Sequence, residues 1–235
     1  MSLKDLGKRL EWEGKAALRG TLLRLLPKPR RPDAPPDPAK VRRILAVRHD
    51  ARLGNLLLLT PSLSLLKKAF PAARVDVLLA DRYGDALASN PDVDRVLTAR
   101  SLPGLRFGGY DLAFDFSPHH AFSLSSATWT ALSGAPRRIG FDRGDAAKFL
   151  GDLVPVPAAQ AHETENLAAL VRHAAPALKA ATPNTSWHFA GGERRKARAP
   201  GVRGGSTGPR SRCSSARGPR SASIPPGSST WGRAW

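Results

Sequence analysis

Among 235 residues there is one cysteine, Cys213. A lone thiol closes no internal disulfide, and no Cys/His cluster has the spacing of a zinc site, so neither crosslinks nor a structural metal is implied. Long apolar runs are also missing. No stretch approaches the roughly 20 apolar residues that span a bilayer, and the amino terminus lacks the apolar centre of a secretory signal, which makes the cytoplasm the expected location. No G-x-G-x-x-G follows the first predicted strand, which disfavours a dinucleotide-binding oxidoreductase. Acid is absent from the last 36 residues. Pro200 to Trp235 contains no Asp, Glu, Leu or Phe, whereas Gly, Pro and Ser fill 20 of its positions. Such a segment offers too little apolar surface to offset chain entropy and reads as a disordered tail.

What is present is unevenly distributed. The hydrophobic content of 41% is ample for a core in part of the chain. The net charge of +18 sits mainly at the ends: residues 1–43 carry 12 basic and 5 acidic side chains, residues 44–199 carry 19 and 14, and residues 200–235 carry 6 and none. The middle is only mildly basic, so the high isoelectric point does not by itself indicate a specific nucleic-acid partner. A basic nucleic-acid-binding or scaffold module stays open as a second class. Leucines 3, 6, 10, 18, 22 and 25 recur at helical intervals among lysines and arginines, as in a basic helix lying on an anionic membrane surface; a helix packed on the domain is the alternative, favoured by the weakening effect of Gly14 and Gly20. Pro27 to Pro38 then reads as a stiff, extended linker.

The middle alternates strands with helices. Ile44 to Val47 is an apolar run flanked by arginines, as a parallel strand buried on both faces requires. Leu53, Leu56, Leu57, Leu63, Leu66 and Phe70 then recur at helical spacing, with Lys67 and Lys68 where cations suit the helix dipole. Further strands are expected at 75–80, 95–97, 110–117, 138–141 and 153–156, a short helix at 81–88, and helices at 121–132 and 163–174. This pattern predicts an α/β fold, a Rossmann-like doubly wound and mostly parallel sheet. Ligands of such sheets bind beyond the carboxyl ends of the strands, which directs attention to the loop from Arg48 to Asn55, where Gly54 is expected to turn the backbone from strand to helix.

Five blocks carry a resemblance: LGNLLLLTPSLSLLKKAFP, ARVDVLLADRYGDALASNPDVDRVL, YDLAFDFS, LSGAPRRIGF and HETENLAAL. In this order they resemble glycosyltransferase family nine, the bacterial ADP-heptose:lipopolysaccharide heptosyltransferases. The resemblance runs from Arg43 to Ala199. It implies the N-terminal, acceptor-side half of a GT-B type enzyme, in which a second Rossmann-like domain holds the nucleotide sugar. The implied layout is a basic helix and linker over 1–42, the Rossmann-like domain and the start of an interdomain connection over 43–199, and a tail over 200–235. The tail's composition, following a chain rich in Ala, Leu, Arg and Asp, fits a slipped reading frame in GC-rich DNA better than a natural basic tail.

The resemblance also implies a chemistry: inverting, metal-independent transfer from a nucleotide sugar, ADP-heptose-like, to a lipid-linked or glycan acceptor such as lipopolysaccharide core, at the inner face of the cytoplasmic membrane. No cofactor is implied. A carboxylate takes the acceptor hydroxyl's proton. The matching position here is Asn55, whose amide holds a hydroxyl but does not act as a base. Asp50 on the same loop is the alternative base, with helix capping as its structural role. Gly54, Arg48, Arg52 and Arg138 are the candidates for substrate binding, since guanidinium groups pair bidentately with the anions that such acceptors carry. His119 and His120 are expected at the surface beside the same edge. His162, Glu163 and Asn166 match the family's interdomain block and are expected to start a helix rather than to react. A chain that carries the acceptor side alone is expected to be inactive.

Overall fold

The computed structural model describes residues 28–49, 52–101, 105, 108–156 and 161–179, with 182, 185, 186 and 188. The basic segment 3–26, Asp50 and the tail over 200–235 lie outside the described residues. The described residues all belong to one unit of the chain, Met1–Ala197.

Six strands form one parallel sheet: β1 (Arg43–Arg48), β2 (Arg74–Leu79), β3 (Arg95–Leu97), β4 (Leu112–Asp115), β5 (Arg137–Phe141) and β6 (Asp152–Val154). Their order is β3-β2-β1-β4-β5-β6, every pairing being parallel. The chain moves outward from β1 to β3, then returns to β1's other side for β4. The sheet therefore has its topological switch point between β1 and β4.

Period-two alternation buries both faces. Ile44 and Ala46 join one core with Leu56, Leu59 and Leu63 of helix α1 (Leu53–Ala69) and Leu167, Leu170 and Val171 of helix α3 (Glu163–Ala174). Leu45 and Val47 point the other way, into a core with Trp129 and Leu132 of helix α2 (Leu124–Leu132) packed against it. Helices on both faces explain why β1 is apolar throughout.

α1 contains Pro61. Proline has no N–H to bond the carbonyl four residues back, here that of Leu57. The hydroxyl of Thr60 donates to this carbonyl at 2.8 Å and accepts from the N–H of Ser186 at 3.1 Å. The helix thus crosses its proline with the affected carbonyl satisfied.

Other boundaries differ from expectation for local reasons. The segment expected as a helix over 81–88 is a 3₁₀ turn, Asp81–Tyr83, followed by turns in which Ala86, Ala88 and Asn90 each bond the carbonyl three residues back. α2 begins three residues later than expected because Ser123 caps it, its hydroxyl accepting from Ser126 N–H at 3.3 Å. β4 is shorter than 110–117 because Asp111 turns its carboxylate to the N–H groups of Arg42 and Arg43, at 2.7 and 2.9 Å.

The proline-rich segment packs against the domain. Arg137 donates to the Ala34 carbonyl at 2.6 Å, and a Cβ on Gly151 would lie 1.7 Å from the carbonyl oxygen of Arg30. These contacts lie at the amino ends of β5 and β6. Among the described residues no helix is long and apolar enough to cross a membrane.

Candidate functional site

β1 ends in an arginine. Arg48 is 1% exposed, the largest fully buried side chain described. The pleat places it on the face covered by α1 and α3, and it is held there at two points. Nη1 donates to the carbonyl of Phe116, just past β4, and stands 3.6 Å from Oε1 of Glu163 at the start of α3. The Phe116 N–H in turn donates to Val47 at 2.9 Å. Arg48 thereby bridges the two strands that flank the switch point. A charge so placed requires compensation, because an unpaired buried ion costs several kcal/mol.

Glu163 provides part of it and also reaches His119, whose Nδ1 lies 2.9 Å from Oε2 and 3.1 Å from the side-chain nitrogen of Asn166. His162 is the N-cap of α3, its Nδ1 accepting from Thr164 N–H at 3.3 Å. The expected helix start is therefore present, and its first residue also enters the site.

Below this pair lies a second buried network. Asp115, at the end of β4, accepts from Ser117 N–H at 3.0 Å, and Arg143 donates to the Ser117 hydroxyl at 2.5 Å. Burial raises the Asp115 pKa against the opposing pull of Ser117, Arg143 and Arg48. Burial likewise lowers that of Arg143, while Asp115 and Glu163 pull it back up. Gly140 makes room for this network, since a Cβ there would stand 3.2 Å from Cβ of Asp115 and 2.5 Å from Leu150.

Above the pair opens a crevice of about 420 Å³, lined by Arg48, Arg52, Asn55, Leu58, Pro118, His120 and Glu163. This is the size of a small-ligand pocket. One wall is the first turn of α1, where Arg52 is the N-cap and its carbonyl accepts from Asn55 N–H at 3.1 Å. Among the described residues no three His, Cys, Asp or Glu side chains gather as metal ligands.

The structure brings Arg48, Arg52 and Asn55 together, as the sequence suggested, and separates Arg138 from them. Arg138 is the second residue of β5, paired with Ala113 and 2% exposed, at the amino end of the sheet. Three further residues, about 10 Å of strand, lie between it and the carboxyl edge. Burial lowers its pKa. The reading of Arg138 as a crevice ligand is corrected on this geometry. Gly54 is also reassigned. It is the second residue of α1, its φ is not in the left-handed region, and a Cβ would meet nothing within 4 Å, so no tight turn requires a glycine there. Asp50 lies outside the described residues. Sequence reasoning did not foresee Glu163 as the partner of Arg48, 115 positions away, or His119 as the partner of Glu163. The one available signal was Asp115, a carboxylate within an otherwise apolar strand.

A doubly wound parallel sheet with a crevice at its switch point defines a Rossmann-like domain. Within that class, the fold is shared with glycosyltransferases. The glycosyl transferase family 9 protein from Veillonella parvula DSM 2008 matches with a TM-score of 0.56 at 16% identity, over 66% of this chain and 47% of its own. E. coli ADP-heptose lps heptosyltransferase II matches with a TM-score of 0.54 at 22% identity, over 66% and 49%. E. coli heptosyltransferase WaaC with ADP matches with a TM-score of 0.50 at 20% identity, over 62% and 50%. The chain spans about half the length of these structures. No protein-family model and no curated protein matches the chain.

Proposed function

We propose that this chain is the acceptor-side domain of a heptosyltransferase-like glycosyltransferase, and that the crevice at the switch point holds the acceptor. The carrying observation is the placement of Asn55, with Arg48, Arg52 and Glu163, in the wall of a crevice between β1 and β4, in a fold shared with heptosyltransferases. In the proposed reaction an acceptor hydroxyl attacks the anomeric carbon of a nucleotide sugar, the bond to the nucleoside diphosphate breaks with inversion, and the hydroxyl proton passes to a base. Asn55 occupies the position of that base and orients the hydroxyl by hydrogen bonds; Asp50 is the alternative base. Arg52 at the rim is suited to an anion that flanks the acceptor or the leaving diphosphate.

The donor, an ADP-heptose-like nucleotide sugar, is assigned to groups beyond this domain, because transfer requires both reactants to be held in one geometry and such positioning accounts for about 7 to 11 kcal/mol of a barrier. The acceptor is lipid-linked or a related glycan, met at the inner face of the cytoplasmic membrane through residues 3–26.

Titration of the full chain with a core oligosaccharide is the test. The amide signals of Asn55, Leu58 and His120 should shift with the oligosaccharide and stay in place with ADP. Shifts with ADP alone would assign the crevice to the nucleotide and overturn this reading.

A further inference from the structure

Glu163 is poorly placed for a structural ion pair alone. Oε2 meets His119 at 2.9 Å, but Oε1 accepts no hydrogen bond and its cation, Nη1 of Arg48, is 3.6 Å away. Buried carboxylate oxygens normally accept hydrogen bonds, and one that does not asks for a donor. Glu163 lines the crevice together with Asn55, and the terminal torsion of a glutamate is broad, so a small rotation presents Oε1 to a ligand. A phosphomonoester dianion or a sugar carboxylate group has no hydrogen to give it, and inorganic phosphate brings its own negative charge against the carboxylate. A hydroxyl does.

The charge balance points the same way. The guanidinium of Arg48 faces Glu163, and that of Arg143 interacts with Asp115 and Glu163. An entering anion would approach a carboxylate rather than an uncompensated cation. Arg52 is exposed at the rim, where salt screens its field. Leu58 and Pro118 supply an apolar surface for the faces of a ring.

Resting on the acceptor-site reading above, we propose that the inner crevice selects a neutral polyhydroxylated sugar ring, one hydroxyl donating to Glu163 and a neighbour bonded to the Asn55 amide, and that Glu163 excludes acidic sugars and phosphate. This assigns specificity to a residue outside the arginine cluster.

The test uses the full chain and three probes: a neutral methyl hexoside, the uronic acid of the same ring, and inorganic phosphate, with binding read by NMR shifts at Asn55 and His120. The methyl hexoside should bind tightest. Glu163→Gln should weaken it about tenfold, the effect of losing a hydrogen bond to a charged group, and should strengthen the uronic acid and phosphate. Asn55→Ala, which leaves the Arg48–Glu163 pair intact, should weaken the hexoside without strengthening either anion. Tighter binding of the uronic acid by the unaltered chain would overturn this inference and leave the saccharide site standing. Equal loss of all probes in both variants would also overturn it. Binding of phosphate alone, or of no probe, would sink the acceptor-site reading with it.

Discussion

An amide stands at Asn55 where the proposed transfer needs a proton acceptor, so the side chain's chemistry, not its position, limits the reaction. In a protein that joins this domain to a nucleotide-sugar-binding domain, Asn55→Asp should raise the rate at neutral pH by at least about a hundredfold, the lower end of what a positioned base contributes. Acceptor-dependent release of nucleoside diphosphate is the measurement, and an unchanged rate would mean that another group takes the proton. Asp50→Asn should abolish transfer only if Asp50 is that group. Arg48, Arg52 and Asn55 were legible because the end of one strand and the first turn of the next helix carry them all. Arg138 was misread because the two adjacent arginines that open RRIGF look like a strand end, and only the register showed which end. Glu163 was seen as a helix start; its second role depends on a contact with a strand 115 positions earlier in the chain.

Elements set two further expectations. Thr60→Val should destabilise the domain by about 1 to 2 kcal/mol in denaturant titration, because the Leu57 carbonyl and the Ser186 N–H both lose their partner. The same change in a Pro61→Ala background should cost less, since alanine restores the N–H that proline lacks; equal costs would break the link between the two residues. On the sheet, Tyr110 donates to Asp76 at 2.8 Å and Arg95 meets the same carboxylate oxygen at 3.0 Å. Burial, then the bond to Asp76, pushes the phenol up to about 12. Its neutral form is therefore favoured by folding, and the stability gained is complete below the unfolded value near 10 and lost as pH rises through about 12. Two pKa units correspond to about 3 kcal/mol at most. Alkaline melting curves should show this loss in the unaltered protein and not in Tyr110→Phe. The strands and long helices were legible from periodicity, which depends on burial alone. The segment at 81–88 was not, because its run of three-residue bonds arises from turn chemistry around Gly84 and Asn90 that a helical reading overlooks.

At the scale of the whole molecule, the change in composition at Pro200 predicts that another frame beyond Ala199 encodes apolar strands, a phosphate-gripping turn and the donor-side domain. Reading the coding DNA in three frames checks this, and three equally barren frames refute it. The spacing of leucines and cations over residues 3–26 predicts binding to anionic liposomes that weakens with salt and disappears when residues 1–38 are deleted. Salt-insensitive binding would point to a different attachment.

The contact of Arg30 with Gly151 turns that attachment into a question of leash length. With the backbone pinned beneath β6 and Arg137 gripping Ala34, only about four residues separate the pinned point from position 26, a span of roughly 14 Å even if fully extended. The pin lies at the opposite edge of the sheet from the crevice, and a six-residue strand is about 20 Å long. A membrane held through residues 3–26 would thus have the sheet standing on it with the crevice uppermost. The crevice would then reach sugars projecting from the bilayer and miss those at its surface, so that on the proposed reading the height of the glycan, as well as its chemistry, would select the acceptor.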